Sequence, residues 1–150
     1  MEDIIMSKIA VVYWSGTGNT ERMAEAVTEG AKEAGAEAFS FTPETFSAEK
    51  MDEFDAVAFG CPSMGDEELE DTEFEPLFTD CEPKLKGRKI ALFGSYGWGD
   101  GQWMRGWEER VAGAGAAVVG GQGVIAQETP DEDALSKCRE LGRSLAGFMP

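Results

Sequence analysis

Residues 11–27 read VVYWSGTGNTERMAEAV: an apolar run, a turn of glycine, serine, threonine and asparagine, then Met23, Ala24 and Val27 at helical spacing, continued by Ala31. Strand, Gly/Thr turn and helix in that order form the opening unit of an α/β domain. At a helix N-terminus several backbone N–H groups lack partners and the dipole is positive, so an anion can be held there without a cation. Ser15, Thr17, Asn19 and Thr20 supply side-chain donors, while Gly16 and Gly18 let the backbone curl inward as a nest. The loop closes with Asn19-Thr20-Glu21 rather than the Gly-Lys-Ser/Thr of a nucleoside-triphosphate loop. Glu21 also stands where a dinucleotide fingerprint needs its third glycine for close helix packing. What remains is a monophosphate, or the plainer alternative of a well-capped turn before an ordinary helix.

Outward from this unit the alternation repeats, the pattern of a parallel sheet covered by helices on both faces. Strands are expected at residues 9–13, 36–41, 54–60 and 89–94, with a fifth inside 116–126 whose limits Gly120, Gly121 and Gly123 blur. Gly35 supplies the stop of the first helix. Phe74, Leu77 and Phe78 mark a short helix. A longer one carries Trp103, Trp107 and Val111 on one face, with Asp100 as its cap. Thr129-Pro-Asp-Glu132 reads as a helix start with a threonine cap, followed by the stripe Leu135, Cys138, Leu141 and Leu145. Five strand/helix pairs make a three-layer domain with its ligand crevice at the carboxyl ends of the strands.

The chain of 150 residues suits one domain. Residues 1–7 are read as an N-terminal extension that frays, ahead of a domain over 8–150. Thirteen Lys and Arg against 29 Asp and Glu leave a formal charge of −16, which repels nucleic acids and anionic membranes and favours basic partners. The absence of histidine removes Ser-His and Cys-His catalysis and His-ligated metals. Cys61, Cys81 and Cys138 are an odd number without C-x-x-C spacing, so reduced thiols in a cytoplasm are expected. No run approaches the roughly 20 apolar residues that span a bilayer, and a soluble monomer is expected.

Two more loops fall at the crevice. In SYGWGDGQW, Tyr96 and Trp98 stand among glycines, where an exposed indole offers a face to a planar ring; Trp103 and Trp107 suit the core instead. In CPSMGDEE, Met64 offers a soft second face, and Gly65 allows a peptide to flip between donating N–H and accepting through C=O. Glu67 or Asp66 can accept a ring N–H.

Taken together, VYWSGTGNTE, CPSMGDEELED and LFGSYGWGDGQWMR resemble the flavodoxins, specifically the short-chain branch, from residue 8 to the C-terminus. The resemblance implies the doubly wound strand order 2-1-3-4-5, which is that family's own known order and not a reading of periodicity. It implies noncovalently bound FMN, held by Trp14, Ser15, Gly16, Thr17, Gly18, Asn19 and Thr20 in the first loop. Ser63, Met64, Gly65, Asp66 and Glu67 follow in the second, and Ser95, Tyr96, Gly97, Trp98 and Gly99 in the third. Met64 and Trp98 sandwich the ring, Glu67 engages its N3–H, and the Gly65 carbonyl turns to accept N5–H of the half-reduced form.

The implied function is a low-potential one-electron carrier shuttling between semiquinone and hydroquinone, not an enzyme. Its partners are basic patches of flavin or iron-sulfur reductases and oxidoreductases, met transiently. A negative charge about 8 Å from the ring at an effective dielectric of about 20 costs about 2 kcal/mol, on the order of 90 mV for one electron. The carboxylates of residues 66–75 can therefore hold the potential low, although the same run also reads as a solvated helix N-terminus. An FMN-dependent quinone or nitro-compound reductase is the rival; it needs a pocket for a hydride donor that the motifs do not supply. A non-redox phosphoryl-ligand module is the third possibility.

Overall fold

The computed structural model describes residues 7–147. Along the chain run β1 (Lys8–Tyr13), α1 (Asn19–Glu33), β2 (Glu37–Phe41), β3 (Ala56–Gly60), α2 (Phe74–Cys81), β4 (Lys89–Tyr96), α3 (Gln102–Gly113), β5 (Ala117–Val118), β6 (Val124–Gln127) and α4 (Glu132–Gly147). The sheet order is β2-β1-β3-β4-β5, with β6 also beside β4 and every pairing parallel. Residues 1–6 of the expected extension lie outside the described residues, as do 148–150.

Because strand side chains alternate in direction, the three central strands feed two cores. Ala10, Val12, Val57, Phe59, Ile90 and Leu92 join Phe74, Phe78, Trp103 and Trp107 beneath α2 and α3. Ile9, Val11, Ala56, Ala58, Ala91 and Phe93 join Met23, Val27, Ala31, Cys138, Leu141 and Leu145 beneath α1 and α4. The three-layer, doubly wound architecture expected from the sequence is thus present. Trp103 and Trp107 are buried, as expected, and Trp103 donates its indole N–H to the Cys61 carbonyl at 3.2 Å.

Helix α1 stops where expected. Gly35 sits at φ +94, its N–H reaches Lys32 O at 3.0 Å and that of Ala36 reaches Ala31 O at 3.1 Å, the paired bonds of a Schellman end. Helices α1 and α4 pack backbone to backbone at one glycine of each. A Cβ on Gly30 would lie 1.9 Å from Arg139 O, and one on Gly142 2.0 Å from Val27 O. Alanine ordinarily gains about 1 kcal/mol over glycine inside a helix, but here the obstacle is backbone, which cannot swing aside. Gly142→Ala is therefore expected to lower unfolding free energy by about 2 kcal/mol, read from the midpoint of urea unfolding.

Four expectations need correction. The fifth strand is two short pieces, because Gly120 and Gly121 at φ +82 and +84 turn the chain out and Glu108 accepts the Gly123 N–H at 2.7 Å. The step from β2 to β3 carries a 3-10 turn, Ala48–Glu53, instead of a full helix; Pro43 and a turn closed between Thr42 and Thr45 use up part of it. Asp100 does not cap α3: Gly101 holds that position at φ 92 without a side-chain bond, and Asp100 pairs with Arg105 at 3.0 Å. Thr129 does not cap α4 either, since Asp131 Oδ1 accepts the Ala134 N–H at 2.8 Å and the helix begins at Glu132.

Candidate functional site

The loops after β1, β3 and β4 converge at the carboxyl edge of the sheet around a cavity of about 290 Å³, near the lower end of the roughly 300–1,000 Å³ typical of small-ligand clefts. It is lined by Trp14, Gly16, Thr17, Asn19, Thr20, Ser63, Met64, Ser95, Tyr96 and Gly97, together with Pro62 and Glu128. Ten residues singled out from sequence therefore share one wall. Ser15 lines an adjoining hollow with Tyr13 and Glu21; Gly18 of the first loop and Gly65, Asp66, Glu67, Trp98 and Gly99 of the other two stand outside the cavity lining, Glu67 facing a separate hollow with Gln102 and Trp103.

In the first loop Ser15 Oγ accepts N–H groups from Gly18 at 3.1 Å and Glu21 at 3.2 Å, which curls the chain onto the start of α1 while leaving the hydroxyl proton to donate elsewhere. Thr17 Oγ1 accepts from Asn19 N at 3.4 Å. Gly18 takes the N-cap position at φ 97, a conformation a side chain would strain. Thr20 is 1% exposed; its hydroxyl lies 2.9 Å from Ser95 Oγ and accepts the Ser95 N–H at 3.4 Å, joining the first loop to the third across 75 residues. Trp14 donates its indole N–H to Glu73 Oε1 at 2.8 Å, holding the ring across Gly16.

Large apolar side chains of the second and third loops stand in the open. Trp98 is 61% exposed and Met64 39%, which is costly for an indole unless something covers it. Met64 and Glu68 exchange backbone bonds of 2.7 and 2.8 Å, so the second loop has a pinned base and a short tip of Gly65, Asp66 and Glu67. Gly65 lies at φ +52, where an added Cβ would meet only Glu68 Oε1, at 3.9 Å.

The acidic run is partly structural. Glu70, only 5% exposed, accepts N–H bonds from Thr72 at 2.9 Å and from Glu73 and Phe74 at 2.8 Å, plus the Thr72 hydroxyl. Burial alone pushes its carboxyl up, but these bonds outweigh burial and hold it below the usual glutamate range. Its own N–H reaches Cys61 Sγ at 3.3 Å. Glu75 is held below the usual range chiefly by the Arg110 guanidinium, which bonds it at 2.6 and 2.9 Å and also grips Glu82. Asp66, Glu68 and Asp71 remain exposed. Burial pushes the Cys81 and Cys138 thiols up to about 12 and raises Cys61 as well, so none is a thiolate near neutrality.

Sequence reasoning did not find Pro62, Glu128, or the bracing roles of Glu70 and Glu73. Glu128 sits at φ +56, the strained backbone that often marks a site, yet its neighbours read only as a helix start. Among the described residues no group of His, Cys, Asp or Glu can hold a metal, and no helix is long and apolar enough to cross a membrane.

The donor set fits a phosphate ester of a flat ring. Hydroxyls of Thr17, Thr20, Ser63 and Ser95 and the Asn19 amide line the cavity beside the apolar Trp14, Met64 and Tyr96, and no lysine or arginine does. A doubly wound parallel sheet with such a cradle at its switch point is the architecture of a flavin-mononucleotide carrier.

Comparison with known proteins agrees. The family model described as Flavodoxin matches residues 11–142. Flavodoxin from Megasphaera elsdenii is 48% identical over 138 residues, covering 92% of this chain and 98% of that one. Flavodoxin from Clostridium beijerinckii is 46% identical, covering 92% and 99%. The solution structure of two-electron reduced Megasphaera elsdenii flavodoxin superposes with a TM-score of 0.83 at 46% identity, over 93% of this chain and 99% of that one. The chain belongs to the flavodoxin family, in its short-chain branch; it is an FMN-binding electron-transfer protein and not an enzyme.

Proposed function

We propose that the chain carries single electrons at low potential in the cytoplasm, as a monomer, on FMN held by the residues named above in the three loops. The observation that carries this reading is the cavity itself: neutral hydroxyl and amide donors, the apolar Trp14, Met64 and Tyr96, and no lining cation, with the exposed indole of Trp98 on the loop that supplies Tyr96 and Gly97. FMN, when bound, supplies one-electron redox chemistry at its ring. Ser15, Thr17, Asn19 and Thr20 hold the phosphate through hydroxyl, amide and helix N-terminus. Trp98 and Met64 cover the ring faces and exclude water. The pinned base and open tip of the second loop leave the peptide after Gly65 able to turn its C=O or its N–H inward. Glu128 at the cavity and the exposed Asp66 and Glu68 oppose added negative charge, which lowers the potential of the last electron.

Asp66, Glu68 and Asp71 form the docking face for a basic redox partner, met briefly and in a salt-sensitive way. With a basic c-type cytochrome as probe, electron transfer from the reduced holoprotein is expected to slow as ionic strength rises. Replacing the three by Asp66→Asn, Glu68→Gln and Asp71→Asn should cut the low-salt rate about tenfold and flatten its salt dependence. A rate indifferent to both salt and the triple substitution contradicts the docking assignment.

A further inference from the structure

Glu67 links the second loop to the third. Its Oε1 accepts the backbone N–H of Gln102, the first residue of α3, at 3.0 Å. The same carboxyl group rests on Gly99: a Cβ built there would stand 2.6 Å from Glu67 Cδ and 2.7 and 2.8 Å from its two oxygens. Glu67 itself lies at φ +58, a region that non-glycine residues occupy only where their surroundings fix them. Strained backbone, a glycine cradle and an amide donor thus act on one carboxylate.

We propose that Gly99 and the Gln102 amide are positioning elements for the cofactor, fixing Glu67 Oε1 so that Oε2 is left to accept the N3–H of the flavin ring. This rests on the reading that Glu67 is the partner of that ring N–H. A glutamate on an open loop would have to give up its rotamer freedom when the ring arrives. Held at one oxygen, it has already given it up on folding, so the contact forms with less loss. A simple brace between loops would affect every flavin alike, whereas a positioning device affects only flavins that carry the N3 proton.

The test is the ratio of dissociation constants for N3-methyl-FMN and FMN, measured on the whole chain. Four forms are compared: the unaltered protein, Glu67→Ala, Gly99→Ala, and a protein carrying the 2-hydroxy-acid analogue of glutamine at position 102, whose backbone ester replaces the N–H with oxygen. The unaltered protein is expected to prefer FMN by about tenfold or more, the scale of a hydrogen bond to a charged acceptor. Glu67→Ala should abolish the preference. The ester should reduce it by about threefold or more, with N3-methyl-FMN affinity held within about twofold, and Gly99→Ala should reduce it as well. If the ester protein keeps the full preference, or binds both flavins more weakly in equal measure, the positioning role is overturned while the Glu67 contact stands. If Glu67→Ala keeps the preference, the underlying contact itself fails.

Discussion

Glu70→Ala is expected to lower unfolding free energy by about 3–4 kcal/mol, combining a lost helix cap with several lost bonds to a charged acceptor. The residue touches nothing in the cavity, yet it gathers the amides of Thr72, Glu73 and Phe74 at the start of α2. Phe74 is buried, so its N–H has no easy water in exchange, and Ala offers nothing in place of the carboxylate. Glu70→Gln keeps the shape and one acceptor and should cost about half as much. The pH dependence follows in sign. The folded carboxyl titrates below its ordinary range, so its contribution is complete above the unfolded value near 4.3 and fades as pH falls through the lower folded value. Urea unfolding of the FMN-free protein should show the gap between native protein and Glu70→Gln shrinking as pH drops from 6 toward 3. A constant gap would mean that the charge of Glu70 is irrelevant to the cap.

Trp98→Ala is expected to weaken FMN binding by about 3 kcal/mol, or roughly 150-fold. An indole that is 61% exposed gains most from a covering ring: about 100 Å² of apolar area removed from water stabilises by about 2.5 kcal/mol, and stacking adds about 0.5–1.5. Trp98→Phe should keep most of the affinity. Calorimetric titration with FMN reads both quantities, since neither variant keeps the Trp98 indole. Loss of less than about threefold in Trp98→Ala would place the ring elsewhere.

The parts that were legible in sequence are those whose signal is local. The continuous apolar run in residues 89–94 and helical spacing from Met23 to Ala31 gave the layers, and SGTGNT gave the cradle, because each involves neighbours in the chain. What escaped depends on long reach or on competition between near-equal choices. The Thr20–Ser95 hydroxyl pair and the Trp14–Glu73 bond join residues 75 and 59 apart, and no local pattern announces either. Thr129 and Asp131 are both good caps by type, and only the path of the chain past Glu128 decides that the aspartate reaches Ala134. In the run of carboxylates, charge alone cannot separate Glu70, turned inward as a cap, from Asp71, which faces water.

The central claim is that an FMN phosphate sits among neutral donors on a protein of charge −16, and calorimetric titration of FMN and riboflavin across ionic strength tests it most directly. FMN should bind far more tightly than riboflavin, because only it fills the cradle. Raising salt should preserve or widen that advantage, since it screens the repulsion between the phosphate and surrounding carboxylates. Equal affinity for the two flavins, or an FMN advantage that collapses with salt as a lysine- or arginine-held phosphate would, contradicts the account.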